Sequence, residues 1–100
     1  MTNTPQTKQP AEIEDALQQL EGWTRHEEDP AIQKTFTFSN FHETMAFVNA
    51  LAWIAHTMDH HPDLKVSYKT CEVTFSTHSV GGVTDLDLEA ARKANGLLSS

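Results

Sequence analysis

The chain of 100 residues has few or none of several features, and each shortage excludes a class of protein. It has one cysteine, Cys71, so no disulfide can close within it and no cysteine-based zinc site can form. It carries seven Lys and Arg against fourteen Asp and Glu, and the bases never gather into a run. At a formal charge of −7 it lacks the basic surface that holds a phosphate backbone, which argues against direct nucleic-acid binding. No apolar stretch nears the ~20 residues that span a bilayer. The opening MTNTPQTKQP has no apolar core of the kind a signal peptide needs. A soluble cytoplasmic protein with no membrane partner is the expectation. There is no internal repeat and no low-complexity tract beyond that opening.

What is present fits one domain. Hydrophobic residues make up 38% of the chain, enough for one modest core, and a domain this small often gains stability by self-association. Residues 1–9 read as a mobile polar arm and residues 10–98 as the domain. PAEIEDALQQLE, residues 10–21, places Ile13, Ala16, Leu17 and Leu20 on one helical face behind Pro10, with Gly22 as a stop. WTRHEEDPAIQKTFTF reads as two strands about a turn at Glu28, Asp29 and Pro30. Ile32, Phe36 and Phe38 share a face of the second strand, with Lys34 the exception. Asn40 with Glu43 is a capping-box pattern opening a helix over about residues 41–59. Its stripe is Phe41, Met45, Val48, Leu51, Ala55 and Met58, widened by Phe47, Trp53 and Ile54. Pro62 ends it.

Leu64, Val66 and Tyr68, then Cys71, Val73 and Phe75, alternate with polar residues, which predicts two more strands joined near Lys69 and Thr70. Cys71 reads as an inert core thiol. Gly81 and Gly82 mark a loop. Thr84 caps a last helix with Leu86, Ala90, Ala91, Ala94 and Leu97 or Leu98 inward. The order α-β-β-α-β-β-α predicts an α+β two-layer sandwich: a four-stranded, mainly antiparallel sheet with its helices on one face.

The dense chemistry lies in HTMDHHPDLKVSY, residues 56–68. His60 and His61 fall at the C-terminal end of the long helix, where the helix dipole and Asp59 favour the charged imidazolium. A group that titrates near neutral pH can both give and take a proton. The plainer alternative is that these rings only cap helix carbonyls. His78, in STHSVGG, follows the parity of Glu72, Thr74 and Ser76, so it faces away from the core and can meet His60 and His61 if its strand returns beside the helix end. A metal site is the rival. His56 and His60, four apart on a helix, can share a face, with Asp59 and His78 as further ligands. His26 and His42 read as surface residues. Asp87, three after Thr84, can complete a capping box. Trp23 reads as a core or interface anchor.

DHHPDLKVSY followed by STHSVGGVTDLDLEAA, together with GWTRHEEDPAIQKTFTFSNF, resembles the pterin-4a-carbinolamine dehydratases over nearly the whole chain after residue 10. The resemblance implies the same element order. It also implies an enzyme that removes water from a 4a-hydroxytetrahydropterin to give the quinonoid dihydropterin, in tetrahydropterin recycling, with no metal and no cofactor. By motif, the family's active-site histidines correspond to His60, His61 and His78. The substrate-contacting segments correspond to Asp59, His60 and His61 and to Ser76, Thr77, His78 and Ser79, with Trp23 and Asp87 near the pocket. His60 and His61 are expected to share the acid and base roles, and His78 to orient the ring or stabilise charge. Many relatives carry glutamate where this chain has His56. The resemblance further implies a homodimer that joins sheets, or a homotetramer built through helices. It leaves two other readings open: a noncatalytic dimerisation or assembly module, and pterin chemistry in molybdopterin metabolism.

Overall fold

Along the chain the elements are α1 (Pro10–Leu17), β1 (Thr24–Arg25), β2 (Ile32–Thr37), α2 (Phe41–Met58), β3 (Asp63–Val66), β4 (Thr70–Phe75) and α3 (Asp85–Gly96) in the computed structural model, which describes residues 6–26 and 28–98. The strands form one sheet in the order β1-β2-β4-β3, and every neighbouring pair is antiparallel. β2 and β3 therefore run parallel, with β4 between them and α2 as their crossover. The expected order and architecture hold, and the sheet is wholly antiparallel.

Register sorts the side chains. Ile32 faces Phe75, Lys34 faces Val73 and Phe36 faces Cys71 across β2 and β4. This set looks toward the helices, where Ile32, Phe36, Cys71, Val73 and Phe75 are buried with Leu51, Ala90, Ala91 and Ala94. Gln33, Thr35, Glu72 and Thr74 take the other face by the two-residue period of a strand. Lys34 keeps its inward place because its Nζ donates to the Glu21 carbonyl and to Asn95 Oδ1, both at 2.8 Å, and lies 4.5 Å from the Phe36 ring centre. Burial pushes its pKa down, since the charged form loses solvation. Gly22, at φ 83°, passes so close that a Cβ there would stand 2.6 Å from Lys34 Cε.

Helix ends follow their caps, with corrections to the expected spans. α1 starts with a Gln9–Glu12 capping box and Pro10, and stops at Leu17, before the expected residue 21. In α2, Asn40 Oδ1 accepts from the Glu43 N–H at 2.9 Å. The buried face of α2 is Thr44, Phe47, Leu51 and Ala55. It is rotated from the expected stripe, because the buried Thr44 hydroxyl is held by the Asn40 and Tyr68 carbonyls, both at 3.0 Å. Phe41 is correspondingly exposed. On α3, Leu97 and Leu98 are exposed, because the helix ends at Gly96 before it can turn them inward. Of the polar arm, residues 1–5 lie outside the described residues. Lys8 is held by its N–H to the Val83 carbonyl at 2.7 Å and by its Nζ to Asp85 at 3.0 Å. Among the described residues no helix is long and apolar enough to cross a membrane.

Candidate active site

The site begins with the way α2 ends. Asp59 takes the left-handed conformation, φ 50° and ψ 46°, and is the only non-glycine described residue with positive φ. Its N–H donates to the His56 carbonyl at 3.2 Å, and the His60 N–H donates to the Ala55 carbonyl at 3.0 Å. This pair of bonds is a Schellman closure, with aspartate doing what glycine usually does. The reversal turns His60 back under the helix and leaves Asp59 and His61 exposed. His60 is therefore not a fourth-residue neighbour of His56 on a continuous helix, as the spacing alone suggested. His56 stays exposed on α2, its ring 5.4 Å from that of Trp53. Among the described residues no group of three or more His, Cys, Asp or Glu is arranged to hold a metal ion.

Inside, the His60 ring stacks on Phe75 at 5.8 Å with an interplanar angle of 10°. Its Nε2 lies 2.5 Å from Oδ1 of Asp87, which is fully buried. Asp87 Oδ2 accepts from the Thr84 N–H at 2.9 Å and from the Thr77 hydroxyl at 2.8 Å. The Thr84 hydroxyl lies 2.8 Å from Thr77 Oγ1. One carboxylate thus closes the α3 capping box and binds a histidine from another element. Buried polar groups are costly unless answered, and each of these is answered.

Thr77 brings the second segment to the same place. It pairs with Gly82 as an isolated bridge across the tight turn of residues 78–81, where Gly81 takes φ 66°. The Gly81 N–H donates to the Thr77 carbonyl at 3.0 Å. With the Thr77 side chain directed inward, His78 and Ser79 are exposed at the turn, and Ser76 is half-buried before it. Residues 59–61, 76–79 and the start of α3 converge through Asp87. His61 and His78, next in sequence to two members of that network, stand at the surface. Neither ring is hydrogen-bonded to another described residue.

Trp23 stands apart from this group. It is buried, its Nε1–H donates to Asn95 Oδ1 at 3.0 Å, and its ring packs 5.8 Å from Phe75, the residue on which His60 stacks. Its place is behind the site, in the core. A cleft of about 920 Å³ between α1 and α3, lined by Ala16, Leu20, Leu86 and Leu88 among others, reaches none of the histidines. Sequence reasoning left the structural part of Thr77 unread, although the signal was there. The alternation Cys71, Val73, Phe75, carried one step on, puts a hydroxyl on the core face beside Thr84 and Asp87.

A family model described as pterin 4 alpha carbinolamine dehydratase matches residues 6–97. A protein of Nitrosomonas eutropha, provisionally named a pterin-4-alpha-carbinolamine dehydratase, is 48% identical over 90 residues, covering 89% of this chain and 78% of its own. A Stenotrophomonas maltophilia protein with the same provisional name is 51% identical over 87 residues, covering 87% of this chain and 75% of its own. The crystal structure of a transcriptional coactivator/pterin dehydratase from Brucella melitensis superposes with a TM-score of 0.91 at 35% identity, over 94% of this chain and 100% of that one. A pterin dehydratase-like RuBisCO assembly factor of the alpha-carboxysome has a TM-score of 0.69 at 21% identity, over 80% of this chain and 93% of its own, and shares the fold.

Proposed function

The chain belongs to the pterin-4a-carbinolamine dehydratase family, and we propose that it dehydrates 4a-hydroxytetrahydropterin to the quinonoid dihydropterin, in tetrahydropterin recycling. The observation that carries this reading is the convergence on Asp87 of the two histidine-bearing segments, with one imidazole held inside and two at the surface.

The reaction needs two proton movements. Hydroxide is a poor leaving group, so the oxygen on C4a must receive a proton as the C4a–O bond breaks. N5 gives up its proton as the N5=C4a double bond forms, and water departs. One imidazolium and one neutral imidazole supply both steps, each worth about 10²- to 10⁴-fold. His60 and His61 carry these roles, and His78 orients the flat ring or stabilises its charge. Asp59, Ser76, Thr77 and Ser79 lie on the same two segments and frame the substrate, while Trp23 acts from the core through Phe75. No metal or cofactor is needed for either proton transfer. The same reading places the reaction in the cytoplasm, with the chain as a homodimer or homotetramer. The exposed Phe41, Trp53 and Tyr68 support that assembly.

The test is a dehydration assay on freshly generated 4a-carbinolamine. The wild type accelerates the reaction above its spontaneous rate, and His60→Ala and His61→Ala each lose about 10²-fold or more. Unchanged turnover after loss of His61 ends the assignment. A wild type with no acceleration turns the reading toward a noncatalytic assembly module. Dehydration confined to another class of pterin turns it toward a different pathway, molybdopterin metabolism among them.

A further inference from the structure

His60 has two ring nitrogens, and they are not equivalent. Nε2 faces Asp87 in the buried corner. Nδ1 makes no hydrogen bond to a described residue, nor is it among the polar atoms shut away from solvent without a partner. The small part of the ring that meets solvent, 8% of the residue, therefore includes Nδ1. Asp87 Oδ2 accepts from the Thr84 N–H and the Thr77 O–H, and Oδ1 faces His60 Nε2. An ionised carboxylate accepts and never donates, so against an ionised Asp87 the proton between the two must belong to His60. A neutral His60 must then keep its proton on Nε2 and present Nδ1 as a bare lone pair.

From this we infer that His60 exchanges its proton through Nδ1, and that Asp87, held in place by Thr77 and Thr84, is the positioning residue that fixes this tautomer. The inference rests on the dehydratase reading for its chemistry, though not for the tautomer. In the reaction Nδ1 takes the N5 proton while N5=C4a forms. A second imidazolium protonates the departing oxygen, and Asp87 stabilises the His60 imidazolium without taking its proton, as carboxylates paired with histidine do elsewhere. The hydroxyls form a directed chain. Thr77 has one proton, given to Asp87, so the Thr84 hydroxyl donates to Thr77 Oγ1 and itself accepts from the Leu86 N–H at 3.2 Å. The backbone of the same Thr77 fixes the base of the turn that carries His78, so one residue ties the two histidine-bearing segments together.

Asp87→Asn tests this sharply. Two donors still point at the Oδ2 position, so the amide oxygen must sit there and the NH₂ must face Nε2. Nε2 then becomes an acceptor and the proton moves to Nδ1. Nitrogen-resolved NMR of the neutral His60 ring is expected to show the proton on Nε2 in the wild type and on Nδ1 in Asp87→Asn, with kcat down about 10²-fold or more and KM little changed. Thr77→Val is expected to lose about tenfold in kcat, the worth of one hydrogen bond, and Thr77→Ser to recover most of it. A wild type that dehydrates with its proton on Nδ1 overturns the inference alone, as does an Asp87→Asn variant that reverses the tautomer and keeps full kcat. A wild type with the expected tautomer and no dehydration overturns the dehydratase reading, and the role of Nδ1 with it. Should Asp87→Asn not fold, the wild-type spectrum and the Thr77 pair decide.

Discussion

Two regions of this molecule treat their exposed chemistry in opposite ways. At the Asp87 corner His60 Nε2, the Thr77 and Thr84 hydroxyls and both Asp87 oxygens are buried, and each is matched within one chain. Along the other edge, β3 is paired on one side only among the described residues, and its inward residues Leu64 and Val66 remain 36% and 42% exposed. Tyr68 and Trp53 stand 72% and 66% exposed, and the Tyr68 ring lies 5.6 Å from Phe41. The first region is complete and the second is not. Unpaired strand edges and clustered apolar groups are normally covered. The site's internal wiring thus belongs to the single chain, and the open edge is the surface that the proposed homodimer or homotetramer would cover.

The comparison breaks most visibly at Asp87. Asp87→Ala leaves the Thr84 N–H, the Thr77 hydroxyl and the His60 ring without their acceptor in a dry corner. Stability is expected to fall by about 3–5 kcal/mol, the cost of orphaning a buried partner set. Against a total of about 5–15 kcal/mol for a domain, that is near the threshold of folding. Trp53→Ala, on the open side, is expected to change the stability of one chain by no more than about 0.5 kcal/mol. Chemical denaturation at low protein concentration measures both. Equal losses would erase the distinction between the two regions.

The edge gives the next largest effect. Val66→Lys puts a charge on a strand that must meet a neighbour if the chain assembles through it. Removing that apolar contact is expected to weaken association by about 2 kcal/mol, roughly thirtyfold in dissociation constant. Light scattering across a dilution series should show the mass falling to that of one chain. His60 should keep its tautomer throughout, since its partners come from its own chain. An unchanged mass would place the contact elsewhere.

The same contrast explains what could be read from the sequence. Order and architecture were legible because the strands alternate cleanly and each helix carries its own punctuation: Pro10, Asn40 with Glu43, Pro62, and Thr84 with Asp87. Residues whose place is set by tertiary bonds were harder. Thr44 lies on the buried face of α2 because of the Tyr68 carbonyl, 24 positions away. Lys34 breaks the pattern of β2 because Glu21 and Asn95 answer it. Asp59 reads as a charge beside two histidines, yet its main structural effect is its left-handed backbone, which sends His60 inward and His61 outward. The motif put the histidines together but could not say which nitrogen faces which partner.

Cys71 lies beside the open edge, facing Phe36 of β2 on one side and Val66 of β3 on the other. Burial pushes its thiol pKa above the ordinary value, because the thiolate would lose its solvation. The unfolded chain releases this proton near pH ~8.5, while the folded core keeps it. Above that pH the folded state binds more protons than the unfolded one, so stability falls as pH rises, by at most about 1.4 kcal/mol per unit from this group. Below it the thiol contributes no slope. Denaturation midpoints from pH 7 to 10 should show this decline in the wild type and a shallower one in Cys71→Ala. An equal slope in both would place the proton loss at another group.

The smallest expected effect falls at His56, where the family resemblance leads to the expectation of glutamate. Glutamate one helical turn from the imidazoles would be a strong tuning charge if the position faced them closely. In this chain the side chain at 56 is exposed on α2 beside Trp53, and the Schellman turn at Asp59 carries His60 away from the α2 surface. A charge in water acts weakly through solvent and salt. His56→Glu is therefore expected to shift stability by no more than about 0.5 kcal/mol and kcat by about twofold. Steady-state kinetics at low and physiological salt check this, because a solvent-screened charge loses its influence as salt rises. A salt-independent change as large as that of Asp87→Asn would bring position 56 into the reacting group and extend the site across the end of α2.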